Sequence, residues 1–591
     1  MIAIQLVILF FFSLFVTILT TPIISRIVAN LGLLDFPDQA ILGKGRSRKI
    51  HTAPVPRLGG VAIVFGFFLA VILIAPQQRI IGIYLCSLLM FFTGLLDDIR
   101  QLSAKLRLGI QILVSAFTVW LNNLVLFSIV LTPQLSLNLP YWLGIVVSIL
   151  IIVGAINATN MIDGLDGLAS GVAMISICLL SIMYYVASNS FNSLIFTFPL
   201  IGAILGFLKY NTYPASVFMG DGGSNWLGFI IGIMLVIVSG GLTITDSNHT
   251  AQFISPFKPL NNWPIPLISP LLCLAVPIID TAAVIILRWK NGLNPMTADK
   301  RHLHHTLLKY GLSHSESVIA IYFIAFGIGV AGLLPVTNPN YALISAVPYI
   351  AVILFLIFIA FLYKKSGSKE IAQKDFGIFD LNEEKADIGS KLRRFLIAWE
   401  SINRYLIYII IFAVTLISSK TESTFGYMAG FMTLLLAFSG YVSRKNKGGF
   451  FESLILSLSL TLLIFSNNQN SIFVEILGKR VDLQIFYNSL FVLLFISSIL
   501  HVLVVFRRRY LVITPSDFLL VIVPSLLLFV PSPYRDGHNL TIICLRSLVL
   551  FISLRCLVAG HRKVIGKIRF FSCVSLILVF LKSVLELKIV Y

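Results

Sequence analysis

The sequence contains few charged residues. Of its 591 residues only 12% are Asp, Glu, Lys or Arg, whereas 58% are hydrophobic, and the mean hydropathy is +0.95. These values lie far outside the range of soluble domains. Apolar runs of about 20 residues, long enough to cross roughly 30 Å of hydrocarbon as helices, recur along the chain. They lack the apolar–polar alternation of barrel strands. We therefore predict an all-α polytopic membrane protein.

Cysteine is also scarce, and its spacing excludes common cysteine-based sites. The six cysteines lie in or beside apolar runs without a C-x-x-C pair, so a disulfide framework and a structural zinc motif are not expected. The N-terminus lacks both a basic n-region and an A-x-A cleavage site. It is expected to be a retained first span that starts on the outer side, and not a cleaved signal peptide.

The net charge of +19 is explained by basic cytoplasmic loops and not by nucleic-acid binding. With the N-terminus outside, basic residues fall on inner loops throughout, as the positive-inside rule requires. Eleven spans are predicted in the first part of the chain, at 3–23, 58–75, 80–95, 108–131, 142–156, 168–187, 194–208, 224–242, 268–287, 316–335 and 341–362. They form the predicted first domain, residues 1–362.

A second membrane region follows a charged stretch. Residues 363–403 are polar with mixed charges and are predicted to be a cytoplasmic linker. About seven further spans are predicted in the extension 404–591, near 404–418, 425–443, 450–466, 484–506, 516–531, 538–559 and 568–588. No repeat relates the two halves, and the extension carries no comparable cluster of acids and histidines. Its function is left open.

Five polar segments of the first domain are predicted to share the cytoplasmic side. They are "GRSRKIHTAPVPRLGG", "GLLDDIRQLSAKLR", "NATNMIDGLDGLASG", "FMGDGGSNWLGF" and "NGLNPMTADKRHLHHTLLKYG". An acid at the centre of a spanning helix costs about 2.5–3.5 kcal/mol. Several acids that return to one face are therefore expected to form a site at the membrane surface or in a hydrated cleft.

The residue types of these segments suit phosphoryl transfer. Glycines before a helix leave backbone N–H groups free for phosphate. Asp221, with Asn160 as a neutral oxygen donor, would suit Mg²⁺, which takes few protein oxygens. A basic complement would bind anions, namely Lys49, Arg57, Lys105, His302, His304 and His305. Zinc at the three histidines is the alternative, although no cysteine or acid completes that set.

The ordered motifs resemble a known enzyme family. They are K-x-H-x-x-P-x-P-R-x-G-G, DD-x6-K, N-x-x-N-x-x-D-G-x-D-G-L-A, F-M-G-D-x-G-S and D-K-R-H-x-H-H. This set is similar to that of the polyprenyl-phosphate N-acetylhexosamine-1-phosphate transferases, and the resemblance covers residues 1–362. "DKRHLHH" resembles the N-acetylglucosamine-1-phosphate branch and lacks the A-P-x-H-H-H form of the peptidoglycan branch. A UDP-N-acetylhexosamine donor is therefore expected, with a phospho-MurNAc-pentapeptide translocase-like enzyme as the alternative.

The resemblance also implies roles for the acids. Asp221 would bind Mg²⁺ with help from Asn160, and Mn²⁺ is the alternative cation. Asp97 and Asp98 match the catalytic pair, and Asp97 is preferred as the partner of the acceptor phosphate or the metal. In the nucleotide pocket, Asp166 would meet the uracil and Asp163 would support it. The bases would hold anions, with Lys105, His302, His304 and His305 at the diphosphate and sugar, and Lys49 and Arg57 at the lipid phosphate.

The implied reaction joins a sugar phosphate to a lipid carrier. The phosphate of undecaprenyl phosphate attacks the β-phosphorus of the UDP-sugar, UMP leaves, and a lipid-linked glycan such as O-antigen is started. Direct attack is preferred over a covalent aspartyl intermediate. The expected location is a bacterial inner membrane with a cytoplasmic active site. A homodimer and contacts with downstream glycan-assembly enzymes stay open, and a secondary transporter or a non-catalytic scaffold is the rival reading.

Overall fold

The computed structural model describes residues 2–35, 54–74, 81–132, 135–188, 194–240, 265–290 and 302–337, and short stretches between 347 and 578. The chain divides into two compact units, Met1–Leu381 with Thr514–Ile522, and Asn382–Ile513 with Val523–Tyr591. The predicted linker, 363–403, and most of the seven predicted C-terminal spans lie outside the described residues. The domain boundaries therefore stay predictions.

The first unit is a helical bundle. Its helices are α1 (Ile2–Asn30), α2 (Gly60–Ile74), α3 (Ile81–Arg100), α4 (Ala104–Asn122), α5 (Tyr141–Met161), α6 (Leu168–Ser188), α7 (Thr197–Asn211), α8 (Gly220–Val238), α9 (Ile268–Leu272), α10 (Ala275–Lys290), α11 (Leu303–Lys309) and α12 (His314–Thr337). Within the described residues, seven helices are long and apolar enough to cross a membrane. The mostly helical, multi-span fold is confirmed, whereas the counts of eleven and seven spans stay predictions.

The predicted span 108–131 is wrong in its C-terminal part. Helix α4 ends at Asn122 because Asn123 adopts the left-handed conformation (φ 49°, ψ 42°), and its N–H donates to the carbonyls of Trp120 and Val119. Asparagine tolerates this conformation better than most residues. The chain then forms an antiparallel hairpin of β3 (Ser128–Thr132) and β4 (Leu135–Asn138), in which Ser128 pairs with Asn138. A short apolar run was thus read as helix although its β-branched residues favour a strand.

The predicted span 268–287 is divided into two helices. Helix α9 ends at Leu272 and α10 begins at Ala275. Pro277 lies in the first turn of α10, where its missing N–H is tolerated but cannot continue a helix from the preceding turn. The Cys273 carbonyl, which would have accepted that N–H, accepts the Ser176 hydroxyl instead. The apolar pattern predicted the run correctly, and the proline determines where it breaks.

Helix α8 is the central helix of the unit. It packs against α2, α3, α5 and α6, and all its residues from Gly222 to Val238 are buried. Gly228 and Gly232 permit the close approach of α5, since a Cβ on either would lie 2.6 or 2.8 Å from the Cα of Ile156 or Ile152. Small residues at this four-residue spacing are typical of tightly packed membrane helices. The polar N-terminus of α8 therefore lies at one end of the bundle, surrounded by other helices and beside the C-terminal end of α3.

Two further short ribbons complete the described structure. In the first unit, β1 (Leu34–Asp35) pairs antiparallel with β2 (Val55–Pro56), and this pairing precedes Arg57. In the second unit, β5 (Phe473–Ile476) and β6 (Lys479–Asp482) form an antiparallel hairpin in which Phe473 pairs with Asp482. The first ribbon matters for the site because it brings a charged pair to the end of the bundle where α3 ends and α8 begins.

Candidate active site

A cavity of about 340 Å³ lies where α3 and α5 end and α8 and α12 begin. Four of the five polar sequence segments contribute to its wall. Its charged and amide-bearing lining residues are Asp35, Arg57, Asp98, Asn160, Asp163, Asp166, Asn211, Asp221 and His314. Five aspartates thus surround a space in which Arg57 is the one permanently charged cation among the described lining residues. Four of the five segments expected to form one site thus meet at this cavity, and no described residue of the fifth, 291–311, lines it.

Asp98 connects the end of α3 to the start of α8. Its Oδ1 accepts a hydrogen bond from the Asp221 N–H and its Oδ2 accepts one from the Gly222 N–H, both at 2.9 Å. A carboxylate is favoured here because the first N–H groups of a helix have no partner within the helix and lie at the positive end of its dipole. Gly220 precedes them with φ +76°. Asp98 therefore fixes Asp221 at the cavity wall.

Asp97, the neighbour of Asp98, faces a different environment. Its Oδ2 lies 2.9 Å from Nη1 of Arg107, and its Oδ1 accepts a 2.8 Å hydrogen bond from the Leu102 N–H. The side chain is only 5% exposed and is not part of the cavity lining. The preference for Asp97 as the partner of phosphate or metal does not agree with this position. Successive helix residues point about 100° apart, and in α3 this rotation turns Asp97 toward Arg107 while Asp98 faces the cavity.

Asn160 joins the end of α5 to the acid on α8. Its Nδ2 donates to Oδ1 of Asp221 at 2.6 Å and to Oγ of Ser224 at 2.9 Å. The amide thereby orients the Asp221 carboxylate. The sequence-predicted pair, Asn160 and Asp221, is thus in direct contact at the cavity wall. Both belong to the residues that line the cavity.

The loop between α5 and α6 forms another wall, and two residues from distant helices hold it. Oδ1 of Asn211 accepts hydrogen bonds from the Gly167 N–H at 3.1 Å and from Oγ of Ser170 at 2.9 Å. Nε2 of His314 accepts the Asp166 N–H at 2.9 Å. The Asp166 carboxylate in turn accepts the Ala215 N–H at 2.9 Å. These bonds fix the loop between α7 and α12.

The pKa of the Asp163 carboxyl in this loop is raised. Its recessed position, followed by the nearby charges of Asp221, Asp98 and Asp166, raises the pKa of this carboxyl to about 7. The side chain nevertheless remains exposed within the cavity, where water weakens the effect of the surrounding apolar atoms. Like charges around a common space disfavour ionisation. The cavity therefore has a surplus of negative charge that a cation would relieve.

The basic residues are distributed less evenly than the acids. Arg57 lines the cavity and forms an ion pair with Asp35 across the β1–β2 ribbon. Lys105 is exposed in the first turn of α4 and does not line the cavity. Lys49 lies outside the described residues. Of the two basic residues predicted to face the lipid phosphate, Lys49 and Arg57, the structure therefore shows Arg57 at the cavity.

The histidine segment lies behind the cavity wall. Of the predicted residues His302, His304 and His305, none is among the cavity-lining residues. His304 is 2% exposed, and a Cβ on the cavity residue Gly164 would come within 2.3 Å of its Nε2. Burial, followed by the charges of His305 and His302, lowers the pKa of His304 well below its ordinary value. The segment therefore supports the loop that carries Asp163 and Asp166.

Three candidate functional residues were not predicted from the sequence. Asp35 and His314 line the cavity, and Asp280 is buried in contact with His302. Asp280 could have been found because an acid inside an apolar run is costly and therefore usually functional. Asp35 and His314 carry no such signal, since each sits in an ordinary polar connection. Only the fold brings them to the cavity.

No preformed metal cage exists among the described residues: no group of three or more His, Cys, Asp or Glu side chains there is arranged to hold a metal ion. This arrangement still fits Mg²⁺, which commonly takes one or two carboxylates and completes its shell with water and substrate phosphates. The surplus of carboxylates around the cavity is the observation that favours a cation. Asp221 with Asn160 beside it is the best placed set.

Comparison with known proteins identifies the relatives of this chain. Residues 80–239 match the family described as glycosyl transferase family 4. The probable undecaprenyl-phosphate N-acetylglucosaminyl 1-phosphate transferase of Bacillus subtilis is 34% identical over 61% of this chain and 90% of its own length. The decaprenyl-phosphate N-acetylglucosaminephosphotransferase of Mycolicibacterium smegmatis is 31% identical over 48% of this chain and 73% of its own length. The undecaprenyl-phosphate alpha-N-acetylglucosaminyl 1-phosphate transferase of Escherichia coli K12 is 26% identical over 52% and 78%.

Proposed function

The chain belongs to glycosyl transferase family 4, and we propose that it transfers N-acetylglucosamine 1-phosphate from a UDP-sugar to a polyprenyl phosphate and releases UMP. The observation that carries this proposal is the cavity in which Asp98, Asn160, Asp163, Asp166 and Asp221 meet. Relatives in three bacteria are described as transferases of N-acetylglucosamine 1-phosphate to undecaprenyl or decaprenyl phosphate. A bundle with several helices long and apolar enough to span a membrane suits an acceptor that is held in the bilayer.

Mg²⁺ is the proposed cofactor, and Mn²⁺ is its alternative. Asp221 would hold it, and Asn160 would orient that carboxylate through the 2.6 Å hydrogen bond between them. When bound, the cation would neutralise phosphate charge during the transfer. The lining supports this proposal, since a nucleoside diphosphate is itself anionic and would be repelled by the aspartates of the cavity.

The chain's own residues have mainly to align the reactants. The acceptor phosphate is already an anion at neutral pH, so its oxygen can form the new bond to the β-phosphorus without an added base. The bond from that phosphorus to the bridging oxygen breaks, and UMP keeps the electron pair. Catalysis of this kind depends on positioning and charge stabilisation. Arg57 is the described basic residue placed to bind the acceptor phosphate, in exchange for its contact with Asp35.

The two adjacent aspartates receive different roles in this proposal. Asp98 faces the cavity and holds the N-terminus of α8, so it positions Asp221. Asp97 maintains the turn after α3 through Arg107 and the Leu102 N–H. We retain direct attack, since the carboxylate oxygens of Asp98 each already accept a backbone N–H. Bonding of phosphorus to either oxygen would weaken the hydrogen bond that this oxygen accepts.

The nucleotide is assigned to the loop between α5 and α6. Asp166 would meet the uracil and Asp163 would support the pocket, and Asn211 and His314 hold this loop in place. An N-acetylhexosamine donor is preferred over a muropeptide donor because of the "DKRHLHH" segment. Lys105 and Lys49 keep their proposed parts, at the diphosphate and at the lipid phosphate respectively. The inner membrane of a bacterium, with the cavity on the cytoplasmic side, is the proposed location.

Release of UMP by the purified full-length protein tests the proposal. The protein would be given undecaprenyl phosphate and, in turn, UDP-N-acetylglucosamine, UDP-N-acetylgalactosamine and UDP-MurNAc-pentapeptide, with and without Mg²⁺. The expected result is UMP release that needs the lipid and the cation and is fastest with UDP-N-acetylglucosamine. Glu316→Gln is a matched control, because this acid caps α12 with Ser313 and does not line the cavity. Folded protein that releases no UMP from any donor would contradict the proposal.

A further inference from the structure

An acid without an assigned role is buried in α10. Asp280 is 1% exposed, and its neighbours in sequence are apolar or small. Its Oδ2 lies 2.9 Å from Nδ1 of His302, and its Oδ1 accepts a 2.8 Å hydrogen bond from the Leu303 N–H. A buried carboxylate is expensive unless it is paired and hydrogen-bonded. Here both oxygens are directed to the same two consecutive residues.

These two bonds fix the start of the histidine segment. His302 stands at the N-cap position of α11 but makes no side-chain cap of its own. Asp280 supplies an acceptor for the Leu303 N–H, which has no partner within the helix. The other oxygen lies 2.9 Å from Nδ1 of His302, and because a carboxylate accepts, this contact favours the tautomer with the proton on Nδ1 and leaves Nε2 for other contacts. Asp280 thus sets both the position of α11 and the orientation of one ring.

The His302 ring is connected to the cavity through the His304 ring. The rings of His302 and His304 lie parallel, 5° apart, with their centroids separated by 5.7 Å. The His304 ring contacts Gly164, which lines the cavity, so a Cβ there would meet its Nε2 at 2.3 Å. Nδ1 of His304 is buried and has no hydrogen-bond partner in the described part of the chain. A contiguous path therefore runs from Asp280 through two rings to the loop that carries Asp163.

We propose that Asp280 is a positioning residue that orients His302 and the histidine segment against the nucleotide-sugar cavity, a role that rests on the proposed transferase function. A purely structural contact between α10 and α11 would be made at lower cost by apolar side chains. A carboxylate directed at a ring nitrogen is instead the usual way to fix a histidine tautomer. Asparagine at this position keeps an oxygen that can accept the Leu303 N–H, so the effect of Asp280→Asn on the reaction is expected to arise through His302.

A double-mutant cycle tests this dependence. Asp280→Asn is expected to lower kcat for UMP release about 10- to 100-fold, a typical loss when the partner of a functional histidine is removed. Asp280→Glu, which retains the carboxylate, is expected to recover part of that loss. In a His302→Gln background, Asp280→Asn should cause no further decrease, because residues that act as a unit are not additive. If Asp280→Asn leaves kcat unchanged, or if its effect multiplies with that of His302→Gln, the proposal is wrong.

Asp97 provides the matched control. It is also a buried aspartate that binds one side chain and one backbone N–H, but its partners are Arg107 and Leu102. Asp97→Asn alone should therefore lower kcat much less than Asp280→Asn does, and its small effect should be the same with and without His302→Gln. This control separates a specific link to His302 from the general cost of disturbing a buried acid. Independence of distant sites is the expected behaviour.

A measurement without turnover distinguishes failure of this proposal from failure of the transferase function. The ring ¹⁵N signals of the nine histidines can be recorded with labelled histidine, and His302→Gln identifies the signal of His302. The wild-type signal is expected to be that of a ring protonated at Nδ1, and Asp280→Asn should change it. An unchanged signal contradicts the positioning role even if UMP is released. The expected change would uphold the contact even if no donor is turned over.

Discussion

The two polar regions of the first unit are built in opposite ways. Around the cavity, the carboxylates of Asp98, Asp163, Asp166 and Asp221 share an open space with few counter-charges. In the histidine segment, the single acid Asp280 is buried and is paired directly with His302. The first region carries unbalanced charge that a cation and a ligand can complete. In the second, both oxygens of the acid already have partners, so it is suited to holding its neighbours in place.

The largest effect is expected from removing a charge at the open region. Asp221→Asn should lower UMP release at least about 100-fold, because electrostatic stabilisation of a transferring phosphoryl group is a large term in such reactions. The rate would be measured with saturating UDP-N-acetylglucosamine and undecaprenyl phosphate over a range of Mg²⁺ concentrations. Glu316→Gln should retain the wild-type rate. Equal rates for Asp221→Asn and the wild type would remove the acid cavity from the mechanism.

A smaller loss is expected when the two regions are pushed apart. In Gly164→Ala the added Cβ would lie 2.3 Å from Nε2 of His304, so either the cavity loop or the histidine segment must move. UMP release should fall about tenfold or more, as expected for a displacement of catalytic geometry. Gly327→Ala is the matched control, since its Cβ would meet nothing within 4 Å. A normal rate in Gly164→Ala would mean that the contact has no part in the reaction.

The charge surplus also predicts a dependence of stability on pH. The folded-state pKa of Asp163 is raised to about 7, above its value in the unfolded chain. Between about pH 4 and 7 the folded protein therefore binds more protons than the unfolded chain, and its free energy of unfolding falls as the pH rises through this window. Without divalent cations, Asp163→Asn should raise Tm at pH 8 but not at pH 4.

Thermal unfolding in detergent at pH 4 and at pH 8 would measure the Tm of the wild type and of Asp163→Asn. Addition of Mg²⁺ to the wild type at pH 8 should reduce the difference from Asp163→Asn, because the cation offsets the same repulsion. If wild type and variant change in parallel between pH 4 and pH 8, Asp163 does not carry the raised pKa.

The smallest effect on chemistry is expected at Asp97. Asp97→Asn weakens the ion pair with Arg107, so Tm should fall, while kcat of the folded fraction should change less than threefold. Arg107→Gln should lower Tm similarly, and the double variant should be little worse than either single one. Activity would be normalised to protein that remains folded. A loss of kcat for Asp97→Asn as large as that for Asp221→Asn would instead return Asp97 to the catalytic role first assigned to it.

The sequence allowed the class of fold and most of the cavity to be predicted. Apolar runs predicted the helices, and the cost of acids in lipid predicted that Asp97, Asp98, Asp163, Asp166 and Asp221 would form one site. Of these five acids, all except Asp97 line the cavity. The hairpin after Asn123 and the break before Pro277 were missed, because apolar composition alone does not distinguish a strand from a helix or place a local break. These errors are local and leave the arrangement of the site unchanged.

Contacts between distant segments were beyond sequence reasoning. Nothing in a list of neighbours along the chain reveals that His314 accepts the Asp166 N–H, 148 residues away. The choice between Asp97 and Asp98 depended on the rotation of α3 about its axis, which α8 determines by packing. Asp280 is the exception, because an acid inside an apolar run can be identified from the sequence as a candidate functional residue.

Binding of Mn²⁺ to the purified protein is the most direct test of the central claim, that the carboxylate cavity holds a cation together with a nucleotide sugar. Electron paramagnetic resonance would follow free Mn²⁺ with and without UDP-N-acetylglucosamine, for the wild type, Asp221→Asn and Glu316→Gln. The account predicts binding that is strengthened by the nucleotide sugar in the wild type and in Glu316→Gln and is lost in Asp221→Asn. Binding of equal strength in all three proteins would contradict it.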